Sequence, residues 1–142
     1  MILFLINSLK LYLIHEIWFY YSHIALHKYF LFIHTVHHNQ NYKLMDYSST
    51  YIAHYLESPI QCIGFIMASW YLQNLSVILS TFVFLQIKGL LRHDNRFVFI
   101  IGNHHILHHK YNKFNYGEYW LDYLGGTLCP FENEHIKGFI TL

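Results

Sequence analysis

From Ser58 to Ile87 the chain carries no charged side chain, and histidines crowd both ends of that run. An apolar run of this length is long enough to enter a bilayer. One crossing would leave His34, His37 and His38 on one face and His105, His108 and His109 on the other. A hairpin would return the chain to the face it left. The polar pair Gln73-Asn74 predicts the turn, with helical arms over roughly 51–72 and 75–92. Residues 1 to about 27 read as another apolar helix, interrupted by Lys10, His15 and Glu16. Hydrophobic residues make up 54% of the chain and charged residues 12%, too apolar a balance for an ordinary soluble domain. The expected fold is therefore all-α: one membrane-embedded helical domain over residues 1–142, with a hairpin of helices between the histidine groups. Residues 39–50 read as a loop, and 93–135 as loops and short helices at the membrane surface.

Other classes are excluded by what the chain lacks. Net charge is +1 and no basic run occurs, so nucleic acid is not an expected partner. The only cysteines, Cys62 and Cys129, form neither a disulfide framework nor a zinc-finger spacing.

Thirteen histidines are present. His23-Ile-Ala-Leu-His27 is HxxxH; His34-Thr-Val-His37-His38 is HxxHH; His105-Ile-Leu-His108-His109 repeats HxxHH, with His104 just before it. Residues three or four apart share a helix face, so each box presents its imidazoles within an arc of about 100°. Two such faces turned together, with His93 added, gather too many donors for one ion and suit two. A lone HxxH is commonly accidental, and His15, His54 and His135 taken singly are read as ordinary hydrogen-bonded histidines. Three boxes in one short chain are not read that way. Imidazole binds Fe, Zn, Cu and Ni; iron with an open position can activate O₂, whereas redox-inert zinc cannot. A metal-bound histidine usually passes its other N–H to a carboxylate or carbonyl. Glu16, two helical turns before His23, Asp94 beside His93, and Asp122 are the expected carboxylate partners; the alternative for each is a helix cap or a solvated charge.

The series HxxxH, HxxHH, HxxHH resembles the membrane-bound fatty acid hydroxylase and sterol desaturase superfamily. Flanking residues extend the likeness. Glu16 to Tyr20 (EIWFY) matches the acidic-aromatic lead into the first box. Ala53-His54-Tyr55-Leu56-Glu57 is similar to an A-H-P-x-E stretch, with Tyr55 in place of Pro. Arg92-His93-Asp94 and Asn103 to Thr127 follow, the latter with Asn115-Tyr116-Gly117, Trp120, Asp122 and Gly125-Gly126-Thr127. The likeness covers about residues 14–130. It implies metal ligands at His23, His27, His34, His37, His38, His93, His105, His108 and His109, with His104 as a further one. It also implies two Fe ions (with Zn as a substitute in purified protein), O₂, and an external electron donor, a reductase or a cytochrome b-type carrier. The expected activity is hydroxylation or desaturation of a fatty acyl or sterol lipid. The expected location is an integral membrane protein, of the endoplasmic reticulum in a eukaryotic-type member, with the site facing the cytosol. Family members usually carry more membrane helices before the first box than the 22 residues found here. That departure motivates two alternatives: a non-catalytic metal-binding relative, or a homo-oligomer that completes the lipid channel. A third, a plain membrane anchor, makes the histidines incidental.

Overall fold

Long apolar side chains and the absence of any interior proline let the first segment run as a single helix, α1 (Ile2–Tyr29), in the computed structural model, which describes residues 1–140. Phe30 leaves helical geometry, with φ −128° and ψ 38°, and the chain restarts as α2 (Leu31–His38). Two short 3₁₀ turns follow, Tyr42–Leu44 and Tyr47–Tyr51. Then come α3 (Glu57–Leu72), α4 (Leu75–Arg92), α5 (Val98–Ile101), α6 (His104–Tyr111) and α7 (Tyr119–Gly125). Among the described residues there is no β-strand.

The turn falls where the polar pair predicts it. Gln73 takes the left-handed conformation (φ 46°) that ends α3, and the Asn74 side chain accepts from the Val77 amide to start α4. The first arm is shorter than expected. Asp46 captures the Ser48 amide and builds a capping box with Ser49, so the chain is held in a 3₁₀ turn through Tyr51, and α3 starts at Glu57 instead of near residue 51. At 16 residues, α3 is about 24 Å long and falls short of a full span. α1 and α4 are long and apolar enough to cross a membrane. Their outward side chains are mostly exposed and apolar, which lipid accommodates and water does not.

α3 and α4 both pack on α1. Leu11 is buried with Ala68 and Val77 near the hairpin turn. Nearer the site, Gly64 lets α3 close on α1: a Cβ there would lie 2.4 Å from the Trp18 Cβ. The Trp18 indole N–H donates to the Ile60 carbonyl at 2.8 Å at the same crossing. This packing fixes the end of α1 that carries His23 and His27 beside the ends of the hairpin.

Candidate dinuclear metal centre

Each box lies on a helix: HxxxH on α1, the first HxxHH on α2, the second on α6. Their ring nitrogens converge in two adjacent groups. His23, His27, His34, His38 and His108 form one; His37, His93, His105 and His109 form the other, with ligand atoms in each within 4.8 Å of one another. Helix geometry explains the sorting. Residues i and i+4 are about 40° apart around a helix, and i+3 lies about 60° to the other side. Each i, i+4 pair (23/27, 34/38, 105/109) stays in one group, while the i+3 residues His37 and His108 cross to the other. The hairpin is what closes the second group: His93 at the end of α4 brings Nε2 within 3.1 Å of His37 and 3.0 Å of His105.

The donor set can be tested for a cation from its protons. His23, His37, His93 and His108 each donate Nδ1–H to a backbone carbonyl: Tyr116 (2.5 Å), Ile52 (3.0 Å), Gly89 (2.8 Å) and Phe114 (2.6 Å). A carbonyl only accepts, so these neutral rings carry their proton on Nδ1 and turn an Nε2 lone pair inward. His37 and His93 thus present two lone pairs 3.1 Å apart with no proton between them. Other Nε2 pairs are equally close: His23–His34 at 2.8 Å, His34–His38 at 2.9 Å, and His108 to both His27 and His38 at 3.0 Å. Protonation does not relieve the crowding. Burial, reinforced by neighbouring rings, holds His38 down to about 2 and His93 to about 3, while burial alone holds His34 to about 4. It drives His105, His108 and His109 well below the ordinary imidazole value. His109 has both ring nitrogens buried without a partner. Convergent neutral lone pairs are the arrangement a metal cation stabilises.

The carboxylates are arranged differently from the expectation. Glu16 touches no group histidine; it pairs with Lys88. Asp94 caps the 3₁₀ turn Asn95–Phe97, accepting from the Arg96 amide at 2.9 Å and pairing with the Arg96 guanidinium. Asp122 acts through the backbone. It accepts from the Tyr116 and Gly117 amides (2.8 and 2.9 Å) and from the Thr127 hydroxyl (2.6 Å), shaping the loop whose Tyr116 carbonyl holds His23. His104, expected among the ligands, lies outside both groups, its Nε2 3.0 Å from Asp122. The physical reason is angular. His104 precedes His105 by one residue, so its ring points about 100° away, towards α7.

Glu57 was not singled out from the sequence, and it is the carboxylate that reaches the site. Its Oε1 stands 3.0 Å from Nδ1 of His34, off the axis of a hydrogen bond but close enough for a charge contact. Its signal was present in the Ala53–Glu57 stretch. The four carbonyls that set the ring tautomers carry no sequence signal, because a backbone acceptor belongs to every residue.

A cavity of about 490 Å³ opens beside both groups, between α1, α3 and α4. His23, His34, His37, His93 and His105 line it at one end, and Phe19, Phe65, Phe82 and Leu85 supply apolar wall. No curated protein and no solved structure matches the chain. The sequence pattern of the family described as Fatty acid hydroxylase matches residues 8–127, a stretch that holds all nine converging histidines, both arms of the hairpin and the loop shaped by Asp122. The chain belongs to the fatty acid hydroxylase family.

Proposed function

We propose that the chain is an O₂-dependent lipid oxidase of the membrane, hydroxylating or desaturating a fatty acyl or sterol substrate at a pair of iron ions. The observation that carries this reading is the meeting of two lone-pair clusters with an apolar cavity between membrane helices. His23, His27, His34, His38 and His108 would hold one ion, and His37, His93, His105 and His109 the other. When bound, such an iron pair supplies the redox chemistry by which O₂ oxidises an unactivated C–H bond.

The protein's own part is positioning and exclusion. The carbonyls of Tyr116, Ile52, Gly89 and Phe114 hold four rings in the tautomer that presents Nε2. Glu57 sets a carboxyl oxygen 3.0 Å from Nδ1 of His34, on the side of the ring turned away from the group. Phe19, Phe65, Phe82 and Leu85 take the alkyl chain and keep water from the histidine end of the cavity. A reductase or a cytochrome b-type carrier supplies electrons from the cytosolic side, and the endoplasmic reticulum is the proposed membrane. The test is the full chain expressed in membranes with iron, lipid, O₂ and a reductase. O₂ uptake coupled to an oxidised fatty acyl or sterol product, lost in His37→Ala, is the expected result. Two bound metals with no oxidised lipid would overturn it and leave the non-catalytic metal-binding reading.

A further inference from the structure

The arms of the hairpin are joined by the short turn at Gln73-Asn74, yet each packs on α1 more than on the other. Near the turn they are held together through Leu11, which packs with Ala68 and Val77. Nearer the site the Phe65 and Phe82 rings still bridge them, with centroids 6.1 Å apart. One helical turn further from the hairpin turn, at i−4 from Phe65 and i+4 from Phe82, Gln61 and Gln86 stand on the same faces of the two arms. Both line the cavity of about 490 Å³.

The burial of the lining residues shows where this cavity opens. On the α1 side Glu16 and His23 are buried. On the arms Ser58 and Ile66 of α3, and Phe82 and Gln86 of α4, are exposed. The cavity is thus a cleft closed by α1 at the back, with its mouth at the seam between α3 and α4. The outward faces beside that seam are apolar, with Met67, Val83 and Ile87 exposed, so hydrocarbon stands at the mouth. Behind the mouth, rings run in a row to the metal centre. Phe82 meets Phe65, Phe65 meets His15 at 6.0 Å, His15 meets Phe19 at 6.1 Å, and Phe19 meets His23 at 5.3 Å. All five line the cavity. From His15 to His23 the row follows α1 for about 12 Å. The two glutamines interrupt the apolar arms at one level. An amide turned to hydrocarbon is costly, which sets this level at the polar edge of the leaflet on the histidine side, where the first carbons of a lipid chain lie.

We propose that the seam between α3 and α4 is the doorway through which a lipid chain passes sideways from the bilayer to the metal centre, with Gln61 and Gln86 as its posts and the Phe65–Phe82 pair as its inner sill. The chain enters at the level of the glutamines and lies along the row of rings. The rival route passes exposed Tyr51, which also lines the cavity. It would carry the chain through water, at a cost that grows with every methylene. The doorway rests on the oxidase reading for its purpose, but the passage of a chain is read without turnover.

The full chain is placed in lipid nanodiscs and loaded with zinc, so that no lipid is oxidised. A diazirine-bearing fatty acid and, in parallel, a diazirine-bearing fatty alcohol are dissolved in the nanodisc lipid and photolysed, and the labelled residues of α1 are read by mass spectrometry. Ile14 and Ile17 face outward and serve as the internal control for lipid contact; Phe19 reports the cavity. The wild-type chain is expected to be labelled on both faces. In a Cys62→Ala background, Gln61→Cys and Gln86→Cys are then bridged by a short thiol-reactive cross-linker that dithiothreitol releases. Bridging should lower Phe19 labelling about tenfold while Ile14 and Ile17 labelling and zinc content stay unchanged, and reduction should restore it. If the double variant loses its zinc, Gln86→Trp, a bulky ring on an exposed position of the mouth, carries the test: Phe19 labelling should fall several-fold, whereas Tyr51→Trp should not change it. Phe19 labelled by neither probe in the wild-type chain overturns the proposal. So does labelling that survives both the bridge and Gln86→Trp, or labelling that falls with Tyr51→Trp instead. Lipid oxidation undiminished in the bridged iron form removes the doorway alone; labelling that follows the bridge in a chain that oxidises no lipid removes the catalytic reading alone.

Discussion

Acidifying the metal-free protein from pH 7 to pH 5.5 should destabilise the site by about 4 kcal/mol through three histidines alone. His34, His38 and His93 lie outside the long apolar helices, so once the site opens they meet water and titrate near 6.5. In the closed site they stay neutral down to about 4, 2 and 3 respectively. Between 6.5 and those values the open form binds more protons than the closed form. The stabilisation is therefore complete above 6.5 and declines as pH falls towards the folded values, at about 1.4 kcal/mol per pH unit for each group. At pH 5.5 each open-state ring is almost fully protonated and each closed-state ring is not, which amounts to about 1.3 kcal/mol per histidine relative to pH 7. The figure is insensitive to how far below 5.5 the folded values lie. Hydrogen exchange of the α2 and α6 amides, with the chain in nanodiscs and metal removed, measures the opening directly. Protection should fall by roughly three orders of magnitude across this pH range, and excess metal should restore it by mass action at either pH. Protection independent of pH between 7 and 5.5 would refute the claim that these rings are held neutral by burial.

Three further outcomes follow from the same geometry. His37→Ala and His109→Ala should each lower bound metal from two ions towards one by elemental analysis, whereas His104→Ala should keep both ions, because its ring faces Asp122. Glu57→Gln should retain the fold and weaken metal affinity by about 10–100-fold in a chelator competition, the usual effect of removing a ligand's outer partner. Gly64→Ala forces a methyl group to 2.4 Å from the Trp18 Cβ; the crossing of α1 and α3 should lose about 1–3 kcal/mol, read as a lower denaturation midpoint in detergent.

The sequence carries the helices and the hairpin in plain view, because both are written in side-chain type. A charge-free run names the membrane-directed arms, and Gln73-Asn74 names the turn. The histidine boxes name eight of the nine converging rings, all but His93, because helix periodicity is fixed by backbone geometry. What the sequence leaves hidden depends on angle and on partners distant in the chain. His104 has the right residue type but sits one position out of phase. Glu16 lies two turns from His23, yet the nearest opposite charge, Lys88 from 72 positions on, captures it. Asp94 has a backbone amide two residues away to cap, and a local partner outcompetes a distant ring. The carbonyls that fix the tautomers are invisible by nature, since only the fold decides which of them faces an imidazole.

The two HxxHH boxes are the same pattern used in opposite senses. On α2 the i, i+4 pair His34 and His38 joins the first group and His37 the second; on α6 the pair His105 and His109 joins the second and His108 the first. Two identical patterns meet this way when the helices face each other across the pair of groups, as the His38–His109 and His37–His109 ring contacts of 4.6 Å require. Each helix then contributes to both groups, and neither group can form unless both helices are docked. An HxxH pattern without the following histidine would give each helix only the i and i+3 positions, which diverge by about 60°, and would leave each group one ring short. The i+3 histidines, His37 and His108, make each helix serve both groups, and the i+4 histidines, His38 and His109, complete them. The hairpin of α3 and α4, by returning His93 to His37, closes the centre from the membrane side.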